Sequence, residues 1–136
     1  MSSPSLESRH VSARIQRPAP MVYAYASDPE NLPSWAHGLS GSITREGDVW
    51  VADSPMGRVT VAFTPPNDLG VLDHEVTLPT GETFHNPFRV LPDGPTTSEA
   101  VFTVRRPPGT SREDFARDVA AVAADLNRLK ELLESA

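Results

Sequence analysis

The stretch 111–134, SREDFARDVAAVAADLNRLKELLE, contains neither proline nor glycine, and Phe115, Val119, Val122, Leu126, Leu129 and Leu133 recur along it at steps of four, three, four, three and four. That spacing predicts one amphipathic helix with an apolar stripe along its whole length, about 36 Å at 1.5 Å per residue. Thr110 followed by Glu113 reads as a capping box, and Asp114 adds negative charge to the first turn, where exposed amide hydrogens favour it. Arg128 and Lys130 near the far end suit the opposite sign of the helix dipole. A stripe of this length needs a partner surface as long as itself. The concave side of a curved sheet is the candidate the upstream sequence supplies.

That upstream sequence reads as short strands. Val11, Ala13 and Ile15 alternate with polar residues in a strand ending at Pro18, after a polar tail over residues 1–8. Pro20 starts a short helix with Val22, Tyr25 and Ala26 on one face, and a second helical turn runs from Pro29 to about Trp35. Glu46-Gly47-Asp48 turns one strand into the next, and Ser54-Pro55-Met56-Gly57 turns again into a run where Val59, Val61 and Phe63 alternate. Leu72, His74, Val76 and Leu78 share one face of the following strand, opposite Asp73, Glu75 and Thr77. The next places Phe84, Asn86, Phe88 and Val90 together, against Thr83, His85, Pro87 and Arg89, and Pro87 inside it predicts a bulge or an edge position. Ala100, Phe102 and Val104 face one way on the last strand.

Composition narrows the function. Cysteine is absent, so disulfides, zinc-thiolate sites and thiol nucleophiles are excluded. A net charge of −6 opposes nucleic acid and anionic membrane, since phosphate binding needs clustered Lys and Arg, and Arg105-Arg106 is only a pair. The first twenty residues hold no apolar core of the length a secretory signal needs, and no apolar run approaches a membrane span, so the reading is a cytoplasmic protein. His10, His37, His74 and His85 show no metal-ligand spacing, and neither a phosphate loop nor a dinucleotide fingerprint is present. Gly38-Leu39-Ser40-Gly41-Ser42 lacks the final glycine of a nucleophile elbow. The expected chemistry uses no metal and no cofactor.

The order strand, two short helices, antiparallel strands and one long helix resembles the START-like (SRPBCC) superfamily, in its bacterial polyketide cyclase/dehydrase-like subgroup related to plant Bet v 1 proteins. The resemblance covers about residues 9–135. It is carried by PMVYAYASDPENLPSW at 20–35, Gly70-Val71-Leu72-Asp73-His74, Asn86-Pro87-Phe88-Arg89-Val90 and DLNRLKELLE at 125–134. It implies an α+β helix-grip fold over residues 9–136, in which a curved antiparallel sheet of six or seven strands wraps around the C-terminal helix with a cavity between them. It does not imply one chemistry, because the superfamily hosts cyclases, aromatases, dehydrases, lipid carriers and hormone receptors, with no universal catalytic residue.

If the long helix covers the face bearing Val59, Val61, Phe63, Leu72, Val76, Leu78, Phe84, Phe88, Phe102 and Val104, two polar residues share that apolar face, His74 and Asn86. Each needs a partner, because a buried unsatisfied polar group costs about 1–3 kcal/mol. His74 is either a core histidine bonded to a backbone carbonyl or to Asn86, or a proton carrier for aldol cyclisation or dehydration. Asn86 either braces the bulge before Pro87 or donates to a substrate carbonyl. Substrate contacts are expected from Phe63, Val76, Phe84, Phe88 and Phe102 on the sheet and from Phe115, Val119 and Val122 on the long helix. The resemblance places Trp35 and His37 at a cavity rim, and Tyr25 faces inward on the first helix with a hydroxyl that can bond a ligand; core packing is the alternative for Trp35 and Tyr25, and solvent exposure for His37. Trp50 has no defined facing, since Val49 and Val51 are equally apolar, and a bulge at Pro87 would swap that of Arg89. The expected partner is a hydrophobic small molecule, as substrate of a cofactor-free cyclase or dehydrase or as cargo of a carrier or sensor. Edge strands leave a homodimer open.

Overall fold

The computed structural model describes residues 7–36, 43–54 and 57–135. The first six residues of the expected tail, His37, the segment 38–42 and the Pro55-Met56 turn lie outside them. β1 (Ser8–Ile15) leads into α1 (Ala19–Ala26), a 3-10 turn (Pro29–Asn31) and α2 (Leu32–Trp35). Proline stands in the first turn of each of these helical segments, where its missing N–H removes no helix bond, and the Asp28 carboxylate caps the 3-10 turn through the Glu30 N–H at 3.0 Å.

The strands follow as β2 (Ile43–Glu46), β3 (Val49–Ser54), β4 (Gly57–Phe63), β5 (His74–Thr77), β6 (Thr83–Asn86), β7 (Phe88–Pro92) and β8 (Ser98–Arg105). All pair antiparallel, in the orders β1-β8-β7 and β2-β3-β4-β5-β6. Among the described residues eight strands stand where six or seven were expected, because the run after Glu82 divides at Pro87. Proline has no N–H to give a neighbouring strand. At the division the Pro87 carbonyl accepts the Thr103 N–H at 2.9 Å, while the Phe88 N–H goes to the Asp73 carboxylate at 2.9 Å. The segment before β5 then runs back along β7, with Leu72 N–H bonded to Phe88 O at 2.8 Å and Val90 N–H to Gly70 O at 2.9 Å. These bonds join the two groups of strands into one curved antiparallel surface that bends at Pro87.

The last element is α3 (Arg112–Glu134). Its cap lies one residue later than the sequence signature suggests: Ser111 Oγ accepts the Asp114 N–H at 3.1 Å, while the Thr110 carbonyl accepts the Arg106 guanidinium at 2.8 Å. A long helix held by a curved antiparallel sheet is the helix-grip fold.

The surface under α3 differs from the expected one. The helix packs chiefly on β1, β8 and α2 rather than across the face carrying Val59, Val61 and Val76. Leu126, Leu129 and Leu133 are buried there with Ile15, Val22, Val90 and Ala100, at about 1.5–3 kcal/mol for each fully buried side chain. Ala52, Val59 and Val61 form a second, separate cluster, which shares the half-buried Ile43 and Phe63 with the first. Polar ties hold the helix end in place. Lys130 Nζ donates to Arg14 O at 2.8 Å and to Glu134 at 2.7 Å, Gln16 N–H donates to Glu134 at 2.8 Å, and Arg128 donates to Trp35 O at 2.9 Å. Arg128 and Lys130 therefore serve as tertiary fasteners.

Candidate functional site

Antiparallel register decides which side chains meet, because residues directly opposite share a face with Cβ atoms about 4.5–5.5 Å apart. Phe63 of β4 stands opposite His74 of β5, and His74 opposite Asn86 of β6. The next row on that face is Trp50, Val61, Val76 and Phe84. Val61 is fully buried, so this is the inner face, and Trp50 belongs to it. Its facing could not be read from flanking valines; its opposition to Val61 settles it.

The rings form a continuous series. Trp35 lies 5.8 Å from Phe88, Phe88 lies 5.5 Å from Phe102, Phe102 lies 5.8 Å from His74, and His74 lies 5.7 Å from Phe63, all between ring centroids and all tilted or edge-on. Such geometry is the favourable one for aromatic pairs. The series crosses the bend at Pro87, from α2 through β7 and β8 to β5 and β4. It leaves His74 as the polar member of an aromatic wall.

His74 Nδ1 lies 3.0 Å from the Leu72 carbonyl. A carbonyl only accepts, so this bond puts the proton of the neutral ring on Nδ1 and leaves the Nε2 lone pair free. Among the described residues nothing bonds Nε2 or the Asn86 carboxamide, and both residues are half-buried rather than sealed. Burial pushes the His74 pKa below its usual 6.5, outweighing the Leu72 carbonyl and the neighbouring Asp73, which pull it up. The imidazole is thus neutral at neutral pH, with a basic nitrogen that meets no donor among the described residues.

Trp35 is 4% exposed, and its enclosed indole N–H has no acceptor among the described residues. Phe88 is buried between Trp35 and Phe102, while Val76 and Phe84 are half-buried one row along. Tyr25 packs half-buried against the core, and its carbonyl accepts the Asn31 side chain at 3.1 Å. Its neighbour Tyr23 was missed by the sequence reading: its hydroxyl accepts the Asn67 N–H at 3.0 Å and fastens the loop before β5 to α1. On α3, Val122 packs against the main core, whereas Phe115 and Val119 border a groove of about 510 Å³ beside the start of β1. That groove does not include His74 or Asn86. His37 lies outside the described residues.

The opposite face of the same strands carries the charges. Asp73 accepts both Arg89 Nε at 2.9 Å and Nη2 at 2.8 Å, with His85 4.0 Å away and Glu75 3.8 Å from His85. The Arg89 hydrogen bond holds the Asp73 carboxyl below its usual pKa. Arg89 is exposed, so the division at Pro87 leaves the alternation intact. Asp73 takes the bracing role that Asn86 was offered, and it does so immediately beside His74. Among the described residues no group of three His, Asp or Glu could hold a metal ion, and no helix is long and apolar enough to cross a membrane.

This fold has known counterparts. The family model described as polyketide cyclase / dehydrase and lipid transport matches residues 8–134, and the chain belongs to that family. No curated protein matches the sequence. Among solved structures, the Zhui aromatase/cyclase from Streptomyces sp. R1128 superimposes with a TM-score of 0.69 at 16% identity, over 96% of this chain and 94% of that one. Norcoclaurine synthase from Thalictrum flavum, solved with dopamine and hydroxybenzaldehyde, gives 0.65 at 14% identity, over 96% and 88%. A START superfamily protein from Mycobacterium smegmatis gives 0.66 at 15%, over 95% and 99%. At these identities the likeness is one of fold, shared with a protein described as a member of the START superfamily.

Proposed function

We propose that the chain binds a hydrophobic small molecule against the inner face of β3–β6, and that His74 moves a proton during cofactor-free cyclisation or dehydration of that molecule. One observation carries the reading: a half-buried neutral imidazole, walled by Phe63 and Phe102 and opposite Asn86, has its basic nitrogen without a partner among the described residues. Binding sites are mainly apolar with a few convergent polar groups, which is the composition of this row.

In the aldol form of the reaction, Nε2 takes a proton from a carbon flanked by carbonyls, and the Asn86 carboxamide donates to the carbonyl oxygen on which charge gathers. The carbanion forms the new carbon–carbon bond at a second carbonyl, whose oxygen takes the proton back from the imidazolium. Loss of water would then need a second proton removal and protonation of the leaving hydroxyl, both within reach of the same imidazole. A depressed pKa keeps the base unprotonated at neutral pH.

Native mass spectrometry of the purified protein tests the binding step, with an apolar adduct as the expected result and its loss in Phe102→Glu. His74→Phe, which keeps a ring between Phe63 and Phe102, should retain the adduct and lose conversion of it by at least about a hundredfold. Conversion retained in that variant would remove His74 from the chemistry. An adduct that the unaltered protein never converts would make the protein a carrier or sensor.

A further inference from the structure

The strand ladder between β7 and the segment before β5 exchanges one of its bonds for two others, and the exchange happens beside His74. Val71 stands opposite Arg89 in antiparallel register, flanked by the Val90 N–H on Gly70 O at 2.9 Å and the Leu72 N–H on Phe88 O at 2.8 Å. In regular antiparallel pairing the next two residues, Leu72 and Phe88, would each donate to the other, so the Phe88 N–H belongs on the Leu72 carbonyl. It goes instead to Asp73 Oδ1 at 2.9 Å. The Leu72 carbonyl, relieved of that donor, lies 3.0 Å from His74 Nδ1.

Asp73 is held where it can make this exchange. Arg89 donates to its carboxylate from Nε at 2.9 Å and from Nη2 at 2.8 Å, and the Asp73 carbonyl accepts the Thr64 N–H at 3.0 Å and the Thr64 hydroxyl at 2.6 Å. The residue whose amide Asp73 takes also backs the imidazole from another direction. The Phe88 ring lies 5.5 Å from that of Phe102, which lies 5.8 Å from the His74 ring.

We propose that Asp73 is the positioning residue of His74: by accepting the Phe88 N–H it frees the Leu72 carbonyl, which then fixes the orientation of the imidazole and its Nδ1–H tautomer. The carboxylate lies on the opposite face of the strand and touches no reacting atom. Its consequence for turnover rests on the proton-transfer reading of His74, whereas the tautomer is a property of the resting protein and is measured without substrate.

Two variants separate this role from a merely structural one. Asp73→Ala leaves the Phe88 N–H and His74 Nδ1–H competing for Leu72 O, while Asp73→Asn keeps a side-chain oxygen for the Phe88 N–H. NMR of the ligand-free full chain, at mildly alkaline pH where the ring is neutral, reads which ring nitrogen carries the proton. Couplings across hydrogen bonds read where the Phe88 N–H goes. The unaltered protein and Asp73→Asn should show an Nδ1–H ring and a Phe88 amide coupled to the side chain at position 73. In Asp73→Ala the ratio of Nδ1–H to Nε2–H tautomer should fall roughly tenfold, the equivalent of one lost hydrogen bond, with the Phe88 amide now coupled to the Leu72 carbonyl. Conversion of the bound molecule should fall with the tautomer in Asp73→Ala and return in Asp73→Asn.

A folded Asp73→Ala protein with an unchanged tautomer would overturn the proposal, as would an Asp73→Asn protein that fails to restore what alanine loses. So would an Nε2–H ring, or a Phe88 amide coupled to Leu72, in the unaltered protein, a result that needs no variant to fold. Conversion that survives in His74→Phe ends the proton-transfer reading alone, because the tautomer measurement stands apart from turnover.

Discussion

The sheet on the two sides of Pro87 follows the same alternation of apolar and polar residues, yet its inner face is more deeply buried on one side than on the other. On the β1-β8-β7 side, Ile15, Val90 and Ala100 lie beneath α1, α2 and α3 with at most 1% of their surface exposed. On the β2–β6 side, Val59 and Val61 are buried, but Trp50, Phe63, His74, Val76, Phe84 and Asn86 all keep part of their surface. A helix about 35 Å long can cover only part of a bent sheet. The covered part supplies stability, and the uncovered part supplies an apolar surface with two polar groups in it.

The sharpest way to break that contrast is to empty matched positions on each side. Val90→Ala should cost about 1.5–3 kcal/mol, because a fully buried valine leaves a cavity that its surroundings fill only in part. Val76→Ala should cost about 1 kcal/mol, since the half-buried side chain is already in partial contact with solvent. Urea midpoints at unchanged slope measure both. Equal losses would mean that the two inner faces are equally sealed.

The join between the sides is the next target. Gly70 has φ of 71°, and a Cβ there would lie 2.2 Å from Val90 O, so Gly70→Ala should cost about 1–3 kcal/mol through backbone strain and a displaced strand bond. Asp73→Ala leaves the Phe88 N–H without its acceptor, which is worth about 1–3 kcal/mol. The Arg89 pair adds little, because that side chain is half exposed and solvent screens it. The Asp73 pKa is lowered from 3.8 on folding, so its stabilisation is present above that value and fades as pH falls below it. In Asp73→Ala the acid limb of the stability curve should be flatter than in the unaltered protein.

Legibility in the sequence followed the range of the forces involved. Alternation and helical spacing are local, so α3, most strand faces and the shared face of His74 and Asn86 could be read directly. The break at Pro87 was also visible, because a missing N–H is a property of one residue. The partner of α3 was not: a stripe states that a surface is needed, and only the bend decides that β1 and β8 provide it rather than β4–β6. Trp50 was hidden by valines on both sides and needed register. Adjacent hydroxyls at Thr110 and Ser111 offer two caps, and the Arg106 guanidinium, by engaging Thr110 O, accompanies the choice of Ser111. Tyr23 gave no sequence signal because its partner, the Asn67 N–H, is an unremarkable loop amide 44 residues away.

The smallest expected effect addresses the accessible side alone. Folding lowers the His74 pKa from 6.5, so as pH falls through that value the unfolded chain takes up a proton that the folded chain still refuses, and stability declines with it. The sign matches that of Asp73, but the window begins near 6.5 rather than 3.8, so the two contributions separate on one titration. His74→Phe removes the group while keeping a ring beside Phe63 and Phe102. Between about pH 7 and 5, the unaltered protein should lose melting temperature more steeply than this variant, and the difference should vanish above the upper limit. A parallel decline in both proteins would show that the imidazole meets water as freely in the fold as in the unfolded chain. The neutral base on which the proposed proton transfer rests would then have no protected environment.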